Sequence, residues 1–139
     1  MLILDTNVIS EILRSEPNNS VVAWFESQPR DQLFTTAITQ GEILCGIALL
    51  PDGNHREKLS RIAQLIFDED LEGHILAFGT DASTHYADLV AGRKVAGQPI
   101  SQFDAMILSI ARLHGASIAT RNTPDFEGCG VELINPWAT

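Results

Sequence analysis

Leu2-Ile3-Leu4-Asp5-Thr6-Asn7-Val8-Ile9-Ser10-Glu11 opens the chain. Three aliphatic residues in a row carry no amphipathic period, so they read as a short strand covered on both faces. The run stops at Asp5-Thr6-Asn7, whose short polar side chains suit the unsatisfied N–H groups at the start of a helix. Val8, Ile9, Ile12 and Leu13 then recur at helical spacing, and Pro17 ends the pattern. Buried strand, polar turn and helix form the opening of an α/β unit. It leaves Asp5 at the carboxyl end of the strand.

The alternation continues along the chain. A second helix is predicted over 20–27, with Val21, Val22, Trp24 and Phe25 as its apolar residues. Leu33-Phe34-Thr35-Thr36 is rich in β-formers and reads as the second strand. A helix follows over about 38–50, closed by Pro51-Asp52-Gly53, and another over 56–67 with Leu59, Ile62 and Ile66 at helical spacing. The acidic run Asp68-Glu69-Asp70 reads as a solvated loop. Ile75-Leu76-Ala77-Phe78 is the third strand, and a helix over 81–92 follows it. Ser101 opens a helix so apolar on all sides (Phe103, Met106, Ile107, Leu108, Ile110, Leu113) that it is expected to be buried, with Gly115 as its C-cap. Ser117-Ile118-Ala119-Thr120 and Val131-Glu132-Leu133-Ile134 complete the strands. The expected fold is α/β: a single domain over 1–139, with a central, mostly parallel sheet of about five strands and helices on both faces. In such sheets the binding crevice lies at the carboxyl ends of the strands.

Composition bounds the possibilities. At 139 residues with 45% hydrophobic and 19% charged, the chain reads as an ordinary soluble globular domain. Two cysteines, Cys45 and Cys129, lie far apart without CxxC spacing, which suits a reduced cytosolic protein. Met1-Leu2-Ile3-Leu4 is too short for a signal peptide, and the apolar stretch 100–119 is broken by Asp104, Arg112 and His114. The expected location is therefore the cytoplasm, with no membrane association. A net charge of −9 argues against binding phosphates by bulk electrostatics. Bound divalent cations would reverse the local sign of an acidic site, and a partner could supply basic surface.

Four separated segments send polar groups to the strand ends. Asp5 follows the first strand and Thr120, Arg121 and Asn122 end the fourth. Glu42 falls in the first turns of the helix after strand two, and Asp104 in the first turn of the helix before strand four. Carboxylates crowded together repel and raise one another's pKa, so such a group is stable at neutral pH mainly with a cation bound. Oxygen ligands suit Mg²⁺ or Mn²⁺, which can position water and stabilise a departing oxygen in phosphodiester hydrolysis. Each residue also has a plain structural reading. Asp5 could only cap a helix, Glu42 could sit on an exposed helix face, and Asn122 could be a turn residue. Ser101-x-x-Asp104 could be a capping box. Cys45, one turn after Glu42, reads as a buried small residue rather than a nucleophile, and no histidine forms a triad.

The combination decides between these readings. The opening segment resembles that of bacterial PIN-domain proteins of the VapC type. Thr39-Gln40-Gly41-Glu42-Ile43-Leu44-Cys45-Gly46-Ile47 resembles their second motif, Phe103-Asp104-Ala105-Met106-Ile107 the third, and Ala119-Thr120-Arg121-Asn122-Thr123-Pro124-Asp125-Phe126 the fourth. The ending Ile134-Asn135-Pro136-Trp137 is similar to that of the FitB branch. The resemblance runs essentially end to end. It implies a PIN domain over 1–139 acting as the toxin half of a toxin–antitoxin pair. It further implies that Asp5, Glu42 and Asp104 are catalytic and ligate Mg²⁺ or Mn²⁺, directly or through water, that Asn7 and Thr120 orient them, and that Gly46 leaves room beside Glu42, although a tight helix contact explains that glycine equally well. At Asn122 many relatives carry aspartate. Asparagine brings a carbonyl without charge; Asp125 is the candidate substitute acid, but Thr123-Pro124-Asp125-Phe126 reads better as a turn.

The implied function is an endoribonuclease toxin cutting RNA, commonly transfer or messenger RNA. The implied partners are a second copy of the chain and a small, DNA-binding antitoxin. Two alternatives stand beside it. One is a weakly active or inactive co-repressor subunit that acts with the antitoxin. The other is a phosphatase of the haloacid dehalogenase type, which needs a second carboxylate where this chain has Asn7.

Overall fold

The computed structural model describes residues 1–138. Five parallel strands form one sheet in the order β3-β2-β1-β4-β5: β1 (Leu2–Leu4), β2 (Leu33–Thr36), β3 (Ile75–Leu76), β4 (Ser117–Ala119) and β5 (Leu133–Ile134). The expected α/β class and parallel sheet are borne out. Strand order runs outward from β1 to β3 on one side, then restarts on the other side at β4. The boundary between β1 and β4 is therefore the topological switch point, where the connecting helices diverge and leave a crevice.

The pleat of β1 divides the core. Leu2 and Leu4 pack into one cluster with Val8, Ile9 and Leu13 of α1 (Thr6–Leu13), Val21, Trp24 and Phe25 of α2 (Asn19–Ser27), Ile43 and Ile47 of α3 (Ala37–Ala48), and Ala63 of α4 (Asn54–Leu65). Ile3 points the other way, into α5 (Thr80–Val95), α6 (Gln102–His114) and Phe126 of the short α7 (Thr123–Phe126). Ile3 is completely buried, and cutting it back to alanine would cost about 2–5 kcal/mol. Three continuous aliphatics read correctly as a strand covered on both sides.

Several boundaries differ from expectation, each for a visible reason. β3 stops at Leu76 because it pairs only with Thr35 and Thr36, after which β2 turns into α3 and leaves Ala77 and Phe78 without a ladder partner. β5 starts at Leu133, opposite Ile118. The position before β4 is committed to the end of α6, where the Ala116 N–H donates to Ala111 O at 2.9 Å. α5 runs through Gly92 to Val95, and the residue that turns the chain is Gly97, with φ 71°. Residues 66–70 continue α4 as a widened turn closed by Leu71 N–H on Ile66 O at 2.8 Å, rather than a loop. Its acidic side chains are solvated as expected, and Asp70 pairs with Arg30 at 3.0 Å. α6 is buried along most of its length, but Phe103 at its start is 52% exposed. No helix among the described residues is long and apolar enough to cross a membrane.

Candidate active site

The switch point is where Asp5 and Thr120 emerge side by side. The Asp5 N–H continues the ladder to Ala119 O at 3.0 Å, so the two strand ends are in register. Its carboxylate caps α1, with Oδ1 accepting from the Thr6 N–H at 2.8 Å. Oδ2 accepts from the Thr120 hydroxyl at 2.7 Å and from the Asn7 amide at 3.3 Å. Asn7 also donates to Thr120 Oγ1 at 3.2 Å and accepts the Arg121 N–H at 3.2 Å. Thr120 Oγ1 accepts the Asn122 N–H at 3.0 Å. The helix-cap reading of Asp5 is correct and incomplete, because one oxygen caps and the other faces the β4 end.

Two helices bring the remaining acids. Thr36 caps α3 by accepting the Thr39 N–H at 3.1 Å, which fixes the first turns of that helix. Glu42 lies half-buried there, and its Oε1 accepts from the Thr6 hydroxyl at 2.8 Å. Thr6 and Thr39 share a further hydroxyl contact at 3.1 Å. Ser101 caps α6 by accepting the Asp104 N–H at 3.2 Å, half of the capping box read in the sequence. Asp5, Asn7, Glu42, Asp104 and Asn122 line one open cleft of about 450 Å³, with Thr120 buried beneath it.

Electrostatics couple these groups. Asp5 is only 3% exposed, and burial pushes its carboxyl up from 3.8 to about 6. The hydrogen bonds from Thr120 and Thr6 oppose that rise, while the charges on Asp104 and Glu42 add to it. Asp104 is also raised, first by burial and then by the charge on Asp125, against a hydrogen bond with Ser101. Asp125 lies outside the cleft lining, in the first turn of α7, yet close enough to act on Asp104.

Among the described residues, no three His, Cys, Asp or Glu side chains are grouped so as to hold a metal ion by themselves. The donor set instead suits a small hard cation that keeps several waters and takes one or two carboxylates directly. A Cβ at Gly46 would meet nothing within 4 Å, so of the two readings of that glycine the tight helix contact falls and open space beside Glu42 remains. One expectation needs correction. Cys45 is exposed rather than buried.

Other residues at the cleft have no site role in the sequence reading, Arg121 being placed there only as a strand-end group. Thr6 holds Glu42, and Glu11 and Arg14 form a pair at 3.2 Å on the cleft wall. Arg121 lies over Trp137, 5.2 Å from the ring centroid. Glu11 had a detectable signal, a charge in the apolar run of α1 four residues after Asn7. The Arg121–Trp137 contact joins distant segments and had none.

Residues 2–127 match the PIN domain family. The chain belongs to the PIN-domain family. This PIN domain is 41% identical over 137 residues to the VapC ribonuclease Y4jK of Sinorhizobium fredii, covering 99% of this chain and 98% of that one. It is 38% identical to the toxin FitB of Neisseria gonorrhoeae, covering 99% of both chains. A solved structure of FitAB bound to an IR36 DNA fragment contains a chain with a TM-score of 0.93 and 36% identity, covering 99% of this chain and 96% of that one. The resemblance to VapC and FitB proteins is thus borne out. The dehalogenase-type alternative falls with it, since Asn7 donates its amide to Asp5 and offers no acid there.

Proposed function

We propose that this PIN domain is a metal-dependent endoribonuclease toxin restrained by a small antitoxin. One observation carries the reading: a carboxylate 3% exposed at the switch point, raised to about 6, with two further acids acting on it. A buried acid without a balancing cation costs stability, and a divalent cation would relieve that cost. Asp5 and Asp104 would hold Mg²⁺ or Mn²⁺, with Glu42 reaching it directly or through water. When bound, such an ion supplies an activated water for attack on a phosphodiester and charge stabilisation at the departing oxygen. Thr120 and Asn7 fix Asp5 Oδ2, the oxygen at the β4 end, and Thr6 fixes Glu42. Asn122 offers a carbonyl without charge, which favours one ion over two.

The likeness to a named VapC ribonuclease supports RNA as substrate, with transfer or messenger RNA the natural candidates. The likeness to FitB in a FitAB–DNA complex supports a DNA-binding antitoxin partner. Homodimerisation and a cytoplasmic location complete the proposal. The same likeness to a chain of a DNA-bound FitAB complex favours a second reading: a co-repressor subunit with little catalysis.

Purified, partner-free protein incubated with total cellular RNA tests the proposal. Discrete cuts that appear with Mg²⁺ or Mn²⁺, vanish in EDTA and vanish in Asp5→Asn are expected. Folded protein giving the same RNA pattern in every lane would leave only the co-repressor.

A further inference from the structure

The charge on this chain is poorly placed for an RNA enzyme, with 18 acidic residues against 9 basic ones. The cleft is itself acidic, so an RNA strand meets like charge unless a cation stands at the rim. Two arginines line it, Arg14 and Arg121. Arg14 is committed: its guanidinium neutralises Glu11, a carboxylate only 5% exposed, at 3.2 Å. Among the described residues Arg121 has no carboxylate partner. Its side chain is exposed and lies over the half-buried Trp137. Its main-chain N–H is tied to Asn7, the residue that also bonds Asp5.

That arrangement is suited to one task. A guanidinium laid on an aromatic ring is restricted in orientation yet keeps the donors in its plane for a phosphate. An arginine beside an aromatic surface is also how single-stranded nucleic acid is held without sequence readout. We infer that Arg121, backed by Trp137, is the RNA-backbone contact of this PIN domain. It takes a phosphate next to the one presented to the carboxylates and so sets the position of the strand. This rests on the nuclease reading above and adds the group that overcomes the chain's own repulsion.

The test is binding of a labelled, mixed-sequence, single-stranded RNA oligonucleotide to the full chain carrying Asp5→Asn, at constant Mg²⁺ and increasing monovalent salt. Adding Arg121→Gln should weaken binding about tenfold and reduce the slope of log affinity against log salt by about 0.7, the loss of one phosphate contact. Arg121→Lys should keep the slope and lose part of the affinity, because an ammonium does not lie flat on a ring. It also serves as the reading if the glutamine variant fails to melt like its parent. Unchanged affinity and slope in the arginine variants, with RNA still bound and still cut by the wild type, would overturn this inference and leave the nuclease standing. No RNA binding together with no cleavage by the wild type would overturn both.

Discussion

Two carboxylates of the first strand–helix unit, Asp5 at 3% and Glu11 at 5% exposed, are buried almost equally and surrounded quite differently. Glu11 is a closed account. Arg14 donates to both of its oxygens at 3.2 and 3.3 Å, and the Asn18 N–H adds a third bond at 3.3 Å. Asp5 receives only neutral donors, from Thr6, Asn7 and Thr120, while the charges within reach are those of Glu42 and Asp104. One carboxylate has its counter-charge built in, and the other has been left without one at the place where the sheet opens. A buried charge that serves the fold is paired, whereas a buried carboxylate left unpaired in a cleft, with its pKa raised, is the mark of a functional site.

The comparison breaks most visibly in cleavage. Asp104→Asn and Glu42→Gln should each lower metal-dependent RNA cleavage by about a hundredfold or more, since even outer groups of metal sites cost ten- to a hundredfold. Initial rates at saturating metal check this, and near-normal rates in both variants would separate these acids from Asp5.

The next effect is in stability against pH, measured without metal. The Asp5 carboxyl rises from 3.8 to about 6 on folding, so the folded state holds this proton more tightly than the unfolded one. Its stabilising contribution is full below the unfolded value and is lost as pH rises through about 6, a change of about 3 kcal/mol by pH 7. Asp5→Asn cannot titrate. Thermal melts in EDTA should therefore show the variant gaining on the wild type between pH 4 and pH 7, by roughly one to three kcal/mol. Asp104→Asn should move in the same direction.

Glu11→Gln should do the opposite. It removes a charge-assisted pair and should lower the melting temperature by roughly 3–8 °C at neutral pH. A stabilised Glu11→Gln would erase the contrast with Asp5. The smallest expected effect is at Asn122→Asp, which adds a charge to the same cleft. It should tighten Mg²⁺ binding a few-fold, read by titration calorimetry.

Much of this was legible from local pattern. The three aliphatics before Asp5, the Ser101 cap and the Gly115 terminator each declare their element within a few residues. Asp5, Glu42 and Asp104 converge because strand ends and helix starts of a parallel sheet share one edge, so order along the chain was enough. Contacts between distant segments were not legible. Thr6 reads as a helix-start residue until α3 packs beside α1 and its hydroxyl meets Glu42. Arg121 reads only as a polar strand-end residue until the chain end lays Trp137 beneath it. Gly92 looked like a helix end, yet a helix continues through glycine when its neighbours pack, and α5 does so.

The most direct measurement is a Mn²⁺ titration of the metal-free protein at pH 7, followed by electron paramagnetic resonance, for the wild type beside Asp5→Asn. The account predicts an ion held by the wild type and at least tenfold weaker binding in the variant. Equal affinity in the two proteins would contradict the claim that the unpaired carboxylate at the switch point is a cation site.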